Sequence, residues 1–590
     1  MYKSFFNKYK LDLIYLFALT LIFIILIFQL SQYLLNIFID FGREVYFPKL
    51  MTEGKLLYKD LFNIFGPLGY QINAILYKLF GVNTYVLGIF GSFCSLLIIY
   101  FTYFISRFFL EEKLSFCLTL LVLTTCVFSP SVFNFIYPYS YSLLYSLTAF
   151  LGSLLFFLMS INKEKSEKYL LFSYFLIGIS IDAKYEFVLF SVILFIYSIF
   201  VYKQKITKLI LNAAVLLSVP MISYGYLFFQ GVTLNDFVQN FYYIKNYIAS
   251  ESLCYFYKHS VGTIFSFDLF NKINLNDLIF AVAFIIFYLV ICFVLTKYKK
   301  YLPKYLKPEH ILFLTGFLFG FKWLYPRQIY FYIPYFLYGI FAYYLVKTCN
   351  LKNFNVCNKY FILLIVSIIS MLKTAFILDV KIYGTFSIIL PLISIIYFIT
   401  EYIPKINSKI LKSDIVNYMS VFILILTIIT FNWTNKDFSI RSAVIKTQKA
   451  NFYMHPIAAE CVGELLNYIN ENISETQSIF ILPEGAFINY ITNRDMKLYD
   501  YYSMLPPHIE TFGINKIIKD FKNAKIDYIV ITPRVMDEYN INDTFCGNKN
   551  INTDLSAQVN VNSFCNFIVE NYTLVKSIGD IYSFKIYKLR

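Results

Sequence analysis

Long apolar runs alternate with short charged breaks along most of the chain. Residues 11–39 are almost uninterrupted apolar sequence, and a second such run begins near Tyr85. Runs of this length match a helix crossing a hydrocarbon layer roughly 30 Å thick. Repeating the reading gives about thirteen predicted spans between residue 11 and residue 432, the fifth and ninth of them short. The breaks alternate in character. Lys3, Lys8 and Lys10 precede the first span, and Arg107 and Lys113 follow the second. Lys203, Lys205 and Lys208, then Lys297, Lys299 and Lys300, mark later breaks of the same kind. Lys and Arg collect on the cytoplasmic side, so these breaks face inward and the N-terminus is expected in the cytoplasm. No small-residue cleavage pattern precedes Asp40, so the first run is expected to remain as a span.

From residue 433 onward the pattern changes. Pro456–Glu471 and Phe512–Asn523 carry apolar positions at helical spacing, and Phe564–Glu570 reads as a third helix. Short buried-type strands are predicted at residues 478–482 and 527–533, with a closing pair at 573–577 and 582–587. The fold class predicted is therefore a polytopic α-helical membrane protein, residues 1–432, followed by an α/β domain, residues 433–590. After an odd number of spans that domain lies outside the cytoplasm. In an oxidising compartment Cys546 and Cys565 are candidates to pair, leaving Cys461 over.

Composition agrees. Of 590 residues, 58% are hydrophobic and 21% aromatic, against roughly 45–50% apolar in soluble domains. The net charge of +15 would suit nucleic acid, but the lysines fall in breaks between spans, where topology accounts for them. Ten cysteines and four histidines are dispersed without metal-ligand spacing. No metal site is predicted, no cofactor is expected, and a divalent ion is doubtful for want of hard oxygen ligands.

Nine of the ionisable residues on the predicted outer face stand out as candidates: Asp40, Arg43, Glu44, Asp60, Asp182, Lys184, Glu186, Lys322 and Arg327. Asp40 opens an outer loop, residues 40–83, that continues through Gly54–Asp60, with Tyr58, and Gly66–Tyr70. An acid at the mouth of a membrane helix is costly unless paired, and it reads as functional. Taken singly, Lys184, Lys322 and Arg327 read as side chains snorkelling from helix ends. Three cations on the side where positive charge is scarce read as a cluster. A carboxylate facing fixed cations suits transfer from a lipid phosphate: the acid removes a hydroxyl proton and the cations receive the leaving phosphate. Glu484, after a strand and before a helix, reads as a structural acid at a helix start.

These features resemble the GT-C superfamily of membrane glycosyltransferases, in the bacterial branch related to protein O-mannosyltransferases (glycosyltransferase family 39) and to the aminoarabinose transferase of lipid A. The resemblance rests on Asp40 and its loop, Lys184-x-Glu186, Arg327-x-x-Tyr-x-x-x-Pro334, the span count, and Pro483-Glu-Gly485 with its following helix. It implies transfer of a hexose or pentose from a polyprenyl-phosphate sugar donor to a glycan, lipid or protein acceptor on the outer face of a bacterial inner membrane, with inversion. Carried across residue by residue, Asp40 is the base and Lys184, Arg327 and Lys322 hold the donor phosphate. Arg43, Glu44, Tyr58, Asp60 and Glu186 support them. The chain departs from the pattern in one place: the outer turn at residues 134–140 has no second acid, so that role is either unfilled or supplied elsewhere, with Glu44 and Asp60 as candidates. Two other readings use similar substrates. A flippase for lipid-linked glycans would show internal repeats and mid-membrane charges, which are not evident. A polysaccharide polymerase or ligase would use Arg and His in a large late loop, but the basic residues of 231–277 are only Lys245, Lys258, Lys272 and His259.

Overall fold

In the computed structural model, residues 2–161, 166–202, 206–266, 275–298, 301–303, 307–323, 327–350, 358–406, 411–539, 541–546, 556–580 and 582–590 are described. Helix α1 (Tyr2–Leu30) runs into a short 3-10 turn, Ser31–Tyr33. The apolar run is thus helical only to Tyr33, and Asp40 lies beyond it, as the N-cap of α2 (Phe41–Thr52). Helix α3 (Leu68–Phe80) completes the first loop and ends on Gly81, whose φ of +89° only glycine adopts readily. There follow α4 (Thr84–Ser106), α5 (Glu112–Val122), α6 (Tyr141–Ser160), α7 (Ser166–Ala183), α8 (Val188–Tyr202) and α9 (Ile206–Phe229). Helix α6 is the central one: its apolar and small side chains are buried almost all round, between α4 and α7.

By length and composition seven helices are fit to cross a membrane among the described residues: Lys10–Tyr33, Thr84–Ser106, Tyr141–Ser160, Ile206–Phe229, Ile279–Tyr298, Ile329–Lys347 and Lys412–Ser439. Tyr185–Phe200 and Lys359–Ser370 are apolar but shorter. The protein is therefore mostly helical and multi-pass.

Between α9 and the Leu275–Tyr298 helix, the chain forms α10 (Leu234–Ala249) and α11 (Glu251–Phe256). Helix α10 starts on a reciprocal cap, with the Thr233 hydroxyl on the Asp236 N–H and the Asp236 carboxylate on the Thr233 N–H.

After the last long helix, Lys412–Ser439, a hairpin β1 (Ala443–Lys446) and β2 (Asn451–Met454) leads into helix Pro456–Asn472. A four-stranded sheet follows in the order β3-β4-β8-β7: β3 (Ile479–Leu482), β4 (Tyr528–Ile531), β7 (Tyr572–Ile578) and β8 (Phe584–Leu589). Strands β3 and β4 are parallel and wholly buried, as their unbroken apolar sequences require. The predicted strands and helices of residues 456–587 thus occur. The hairpin β1–β2 and the small pair β5 (Val535–Met536) and β6 (Ile541–Thr544) carry no comparable alternation and were not predicted. Cys546 and Cys565 are joined as a disulfide, and Cys461 is buried and free.

The C-terminal segment sits on the first loop. Asp500 accepts the Phe62 N–H at 2.9 Å, and Phe62 packs edge-on against Phe512 at 5.2 Å. Helix Ala486–Thr492 lies against α2 so closely that a Cβ on Gly42 would stand 2.5 Å from the Phe487 nitrogen.

Candidate active site

Asp40 occupies a backbone conformation, φ +40° and ψ −40°, that L-residues seldom adopt. Such strain tends to persist where the surroundings fix a functional geometry. One-third of its side chain is exposed, and Arg43 Nη1 lies 3.4 Å from its Oδ1. Arg43 is buried. It donates to Glu44 Oε1, to the Tyr502 hydroxyl at 3.1 Å and to the Tyr139 carbonyl at 3.3 Å. Glu44 is fully buried and fully used: Oε1 also accepts the Tyr70 hydroxyl at 2.7 Å, and Oε2 accepts the Tyr141 N–H at 2.7 Å. It therefore ties α2 to the first turn of α6, where a carboxylate is favoured.

Lys184 follows the last residue of α7. Its Nζ donates to the Tyr139 hydroxyl at 3.0 Å, lies 3.5 Å from Glu186 Oε1 and stands over the Phe65 ring at 4.4 Å. Arg43 lies 5.1 Å from the same Phe65 ring. Tyr139 and Phe65 therefore hold the two cations in one assembly with Asp40 at its edge. Lys184 is only 2% exposed. Burial pulls its ammonium from the ordinary lysine value down to about 7, against the pull of Glu186.

Glu186 is shared with Lys373 Nζ at 2.5 Å, and Lys373 stands 4.3 Å from the Tyr383 ring centre. Glu186, Lys373 and Tyr383 form the polar end of a cavity of about 290 Å³, whose walls include Leu147, Phe150 and Phe190. An apolar trough ending on charge suits a lipid phosphate.

The other predicted residues stand further back. Arg327 makes a bidentate pair with Asp379, Nε to Oδ1 at 2.7 Å and Nη2 to Oδ2. The Asp379 carbonyl accepts the N–H groups of Ile382 and Gly384, so the pair props the turn that carries Tyr383. Arg327 is thus paired with Asp379, whose turn carries Tyr383 of the cavity lining. The side chain of Lys322 lies outside the described residues. Tyr58 is buried and donates to the Phe65 carbonyl at 2.8 Å. Asp60 accepts the Leu56 N–H at 2.8 Å and closes the 56–61 turn. Both shape the loop. Asn134, in the turn without an acid, donates to the Leu34 carbonyl and accepts from the Ile136 and Tyr137 N–H groups.

Sequence reasoning missed three contributors. Tyr139 and Lys373 are joined to Lys184 and Glu186 by tertiary contacts alone. Glu484 comes from the C-terminal segment. It lines a small cavity with Asp40, Arg43 and Tyr502. Its Oε1 accepts the Ser503 hydroxyl at 3.4 Å and its Oε2 lies 3.6 Å from Arg534 Nε. Among the described residues no group of three His, Cys, Asp or Glu side chains is placed to hold a metal ion.

Comparison with known proteins gives a family match over part of the chain and likenesses of fold. Residues 66–226 match the family model of dolichyl-phosphate-mannose-protein mannosyltransferase. No curated protein matches the chain by sequence. Among solved structures, the fold is similar to that of the archaeal oligosaccharyltransferase AglB from Archaeoglobus fulgidus, in complex with an inhibitory peptide and a dolichol-phosphate. That likeness has 13% identity, 89% of this chain and 69% of that one covered, and a TM-score of 0.49. It is also similar to ArnT from Cupriavidus metallidurans bound to undecaprenyl phosphate, with 11% identity, 97% and 98% covered and a TM-score of 0.45. The family match over residues 66–226 includes Lys184, Glu186 and the close of the Asp40 loop, and leaves Asp40 and Arg327 outside it.

Proposed function

We propose that the protein transfers a sugar from a polyprenyl-phosphate donor to an acceptor at the outer face of a bacterial inner membrane. In this reading the chain crosses about thirteen times, the N-terminus is cytoplasmic and residues 433–590 form an extracytoplasmic α/β domain. The observation that carries the proposal is the assembly of Asp40, Arg43, Tyr139 and Lys184 beside an apolar cavity that ends on Glu186 and Lys373.

The chemistry follows from the charges. The acceptor hydroxyl gives its proton to the Asp40 carboxylate as its oxygen bonds to the anomeric carbon. The bond from that carbon to the phosphate oxygen breaks on the opposite side, which inverts the centre. The electron pair leaves with the lipid phosphate, and Lys184 and Lys373 receive its charge. Arg43 orients Asp40, and Arg327 with Asp379 positions the Tyr383 turn. Burial of Lys184 prepares it for this role, because an anion beside it would restore the charge that desolvation discourages.

Asp40→Asn tests the proposal. We expect it to remove the envelope glycan product in mass spectrometry of complemented cells, while purified protein still binds undecaprenyl phosphate. Wild-type product from Asp40→Asn would refute it.

A further inference from the structure

Residues 134–140 lack the second acid, and neither candidate for its role is free to act. Glu44 is saturated by Arg43, Tyr70 and Tyr141, and Asp60 closes its own turn. The structure brings another carboxyl to Asp40 from more than four hundred residues away. Strand β3 ends at Leu482, and the Pro483-Glu484-Gly485 turn leads into helix Ala486–Thr492. That helix is held on α2 by the backbone contact at Gly42 and by the Phe41 and Phe487 rings, 5.9 Å apart. The turn therefore lands on Asp40.

Glu484 is buried, with 6% of its surface exposed. Its Oε2 accepts no hydrogen bond among the described residues. Arg534 gives Nη2 to Glu538 and Nη1 to the Val535 carbonyl, while its Nε, 3.6 Å from Glu484 Oε2, is also without a hydrogen-bond partner. A buried acceptor and a buried donor beside Asp40 thus stand close enough for an ion pair and too far apart for a hydrogen bond, which leaves both able to take one from a third group. Burial first, and then the charge of Asp40, raise the Glu484 carboxyl above the ordinary range, against Arg534 and Arg43. Arg43 and Tyr502 line the same small cavity as the two acids, and the Tyr502 hydroxyl accepts from Arg43 Nη1 at 3.1 Å.

We propose that Glu484 is the acceptor-positioning acid of the site, its Oε2 hydrogen-bonding the incoming hydroxyl-bearing acceptor so that one hydroxyl faces Asp40. The inference rests on the transferase reading above. It makes the C-terminal segment part of the site: without it the membrane-embedded residues would hold a donor but not orient an acceptor.

The experiment compares Glu484→Gln, Glu484→Asp and Asp40→Asn in full-length protein. Envelope glycan product is read by mass spectrometry of complemented cells. Affinity for undecaprenyl phosphate and thermal unfolding are read on purified protein in nanodiscs. We expect Glu484→Gln to lower product by about tenfold or more, Glu484→Asp to restore part of it, and lipid-phosphate affinity and melting temperature to stay at wild-type values. Wild-type product from Glu484→Gln, with Asp40→Asn inactive, overturns this inference and leaves the transferase reading intact. Loss of lipid-phosphate affinity or of melting temperature in step with product, with no rescue by Glu484→Asp, also overturns it, in favour of a structural role. Product from Asp40→Asn overturns both.

Discussion

Replacing Lys184 by methionine separates the cost of a buried charge from its use. The ammonium is 2% exposed, and burial brings its pKa from 10.5 to about 7. That difference corresponds to roughly 5 kcal/mol against the charged form. Between pH 7 and 10.5 the unfolded chain holds this proton and the folded chain does not. Wild-type stability therefore rises with pH across that window, and Lys184→Met should abolish the rise. At pH 7 the variant should melt higher than wild type, since methionine fills the space without the desolvation penalty. Affinity for a lipid phosphate should move the other way. A charge-assisted hydrogen bond is worth about 1.5–3 kcal/mol, so undecaprenyl phosphate should bind roughly 10- to 150-fold more weakly to Lys184→Met. Wild-type affinity should also fall above pH 7, by up to about tenfold per pH unit, because binding then has to recover a proton. The ionisation of undecaprenyl phosphate is common to both proteins, so the difference between their pH profiles isolates Lys184. Thermal unfolding and lipid-phosphate binding in nanodiscs from pH 6 to 9 supply both readings. Equal affinities with parallel pH profiles would refute the assignment of Lys184 to the phosphate.

Two further outcomes are expected. Gly42→Ala should part α2 from helix Ala486–Thr492, since its Cβ would meet the Phe487 nitrogen at 2.5 Å; a loss of about 1–3 kcal/mol and of product should appear together in thermal unfolding and glycan analysis. Cys546→Ser should lower the stability of the C-terminal segment by about 2–4 kcal/mol, read by urea-dependent proteolysis, and wild-type protein should show one fewer free thiol pair before reduction than after it.

Much of the fold was legible in the chain. The long helices fall where apolar runs predict them, because a span must satisfy its backbone within itself and must be apolar outward. Strands β3 and β4 were legible for a related reason, being wholly buried in short apolar runs. The hairpin β1–β2 was not, since its residues Ala443–Lys446 and Asn451–Met454 gain their order from pairing with each other.

The site divides in the same way. Asp40, Arg43, Lys184 and Glu186 were visible because charge is expensive beside a membrane, and the sequence by itself determined that these charges stand at or near the ends of apolar runs. It did not determine who meets whom. Arg327 stood out as a cation near an outer turn, yet tertiary structure gives it to Asp379. Lys373 drew no notice in the chain, yet it shares Glu186 with Lys184. Glu484 looked like a helix-start acid, yet a glycine contact hundreds of residues upstream lands it on Asp40. Hydropathy is a property of each residue and its near neighbours, so it can be read along the chain. Pairing of charges is set by packing between distant elements, and only the folded structure decides it.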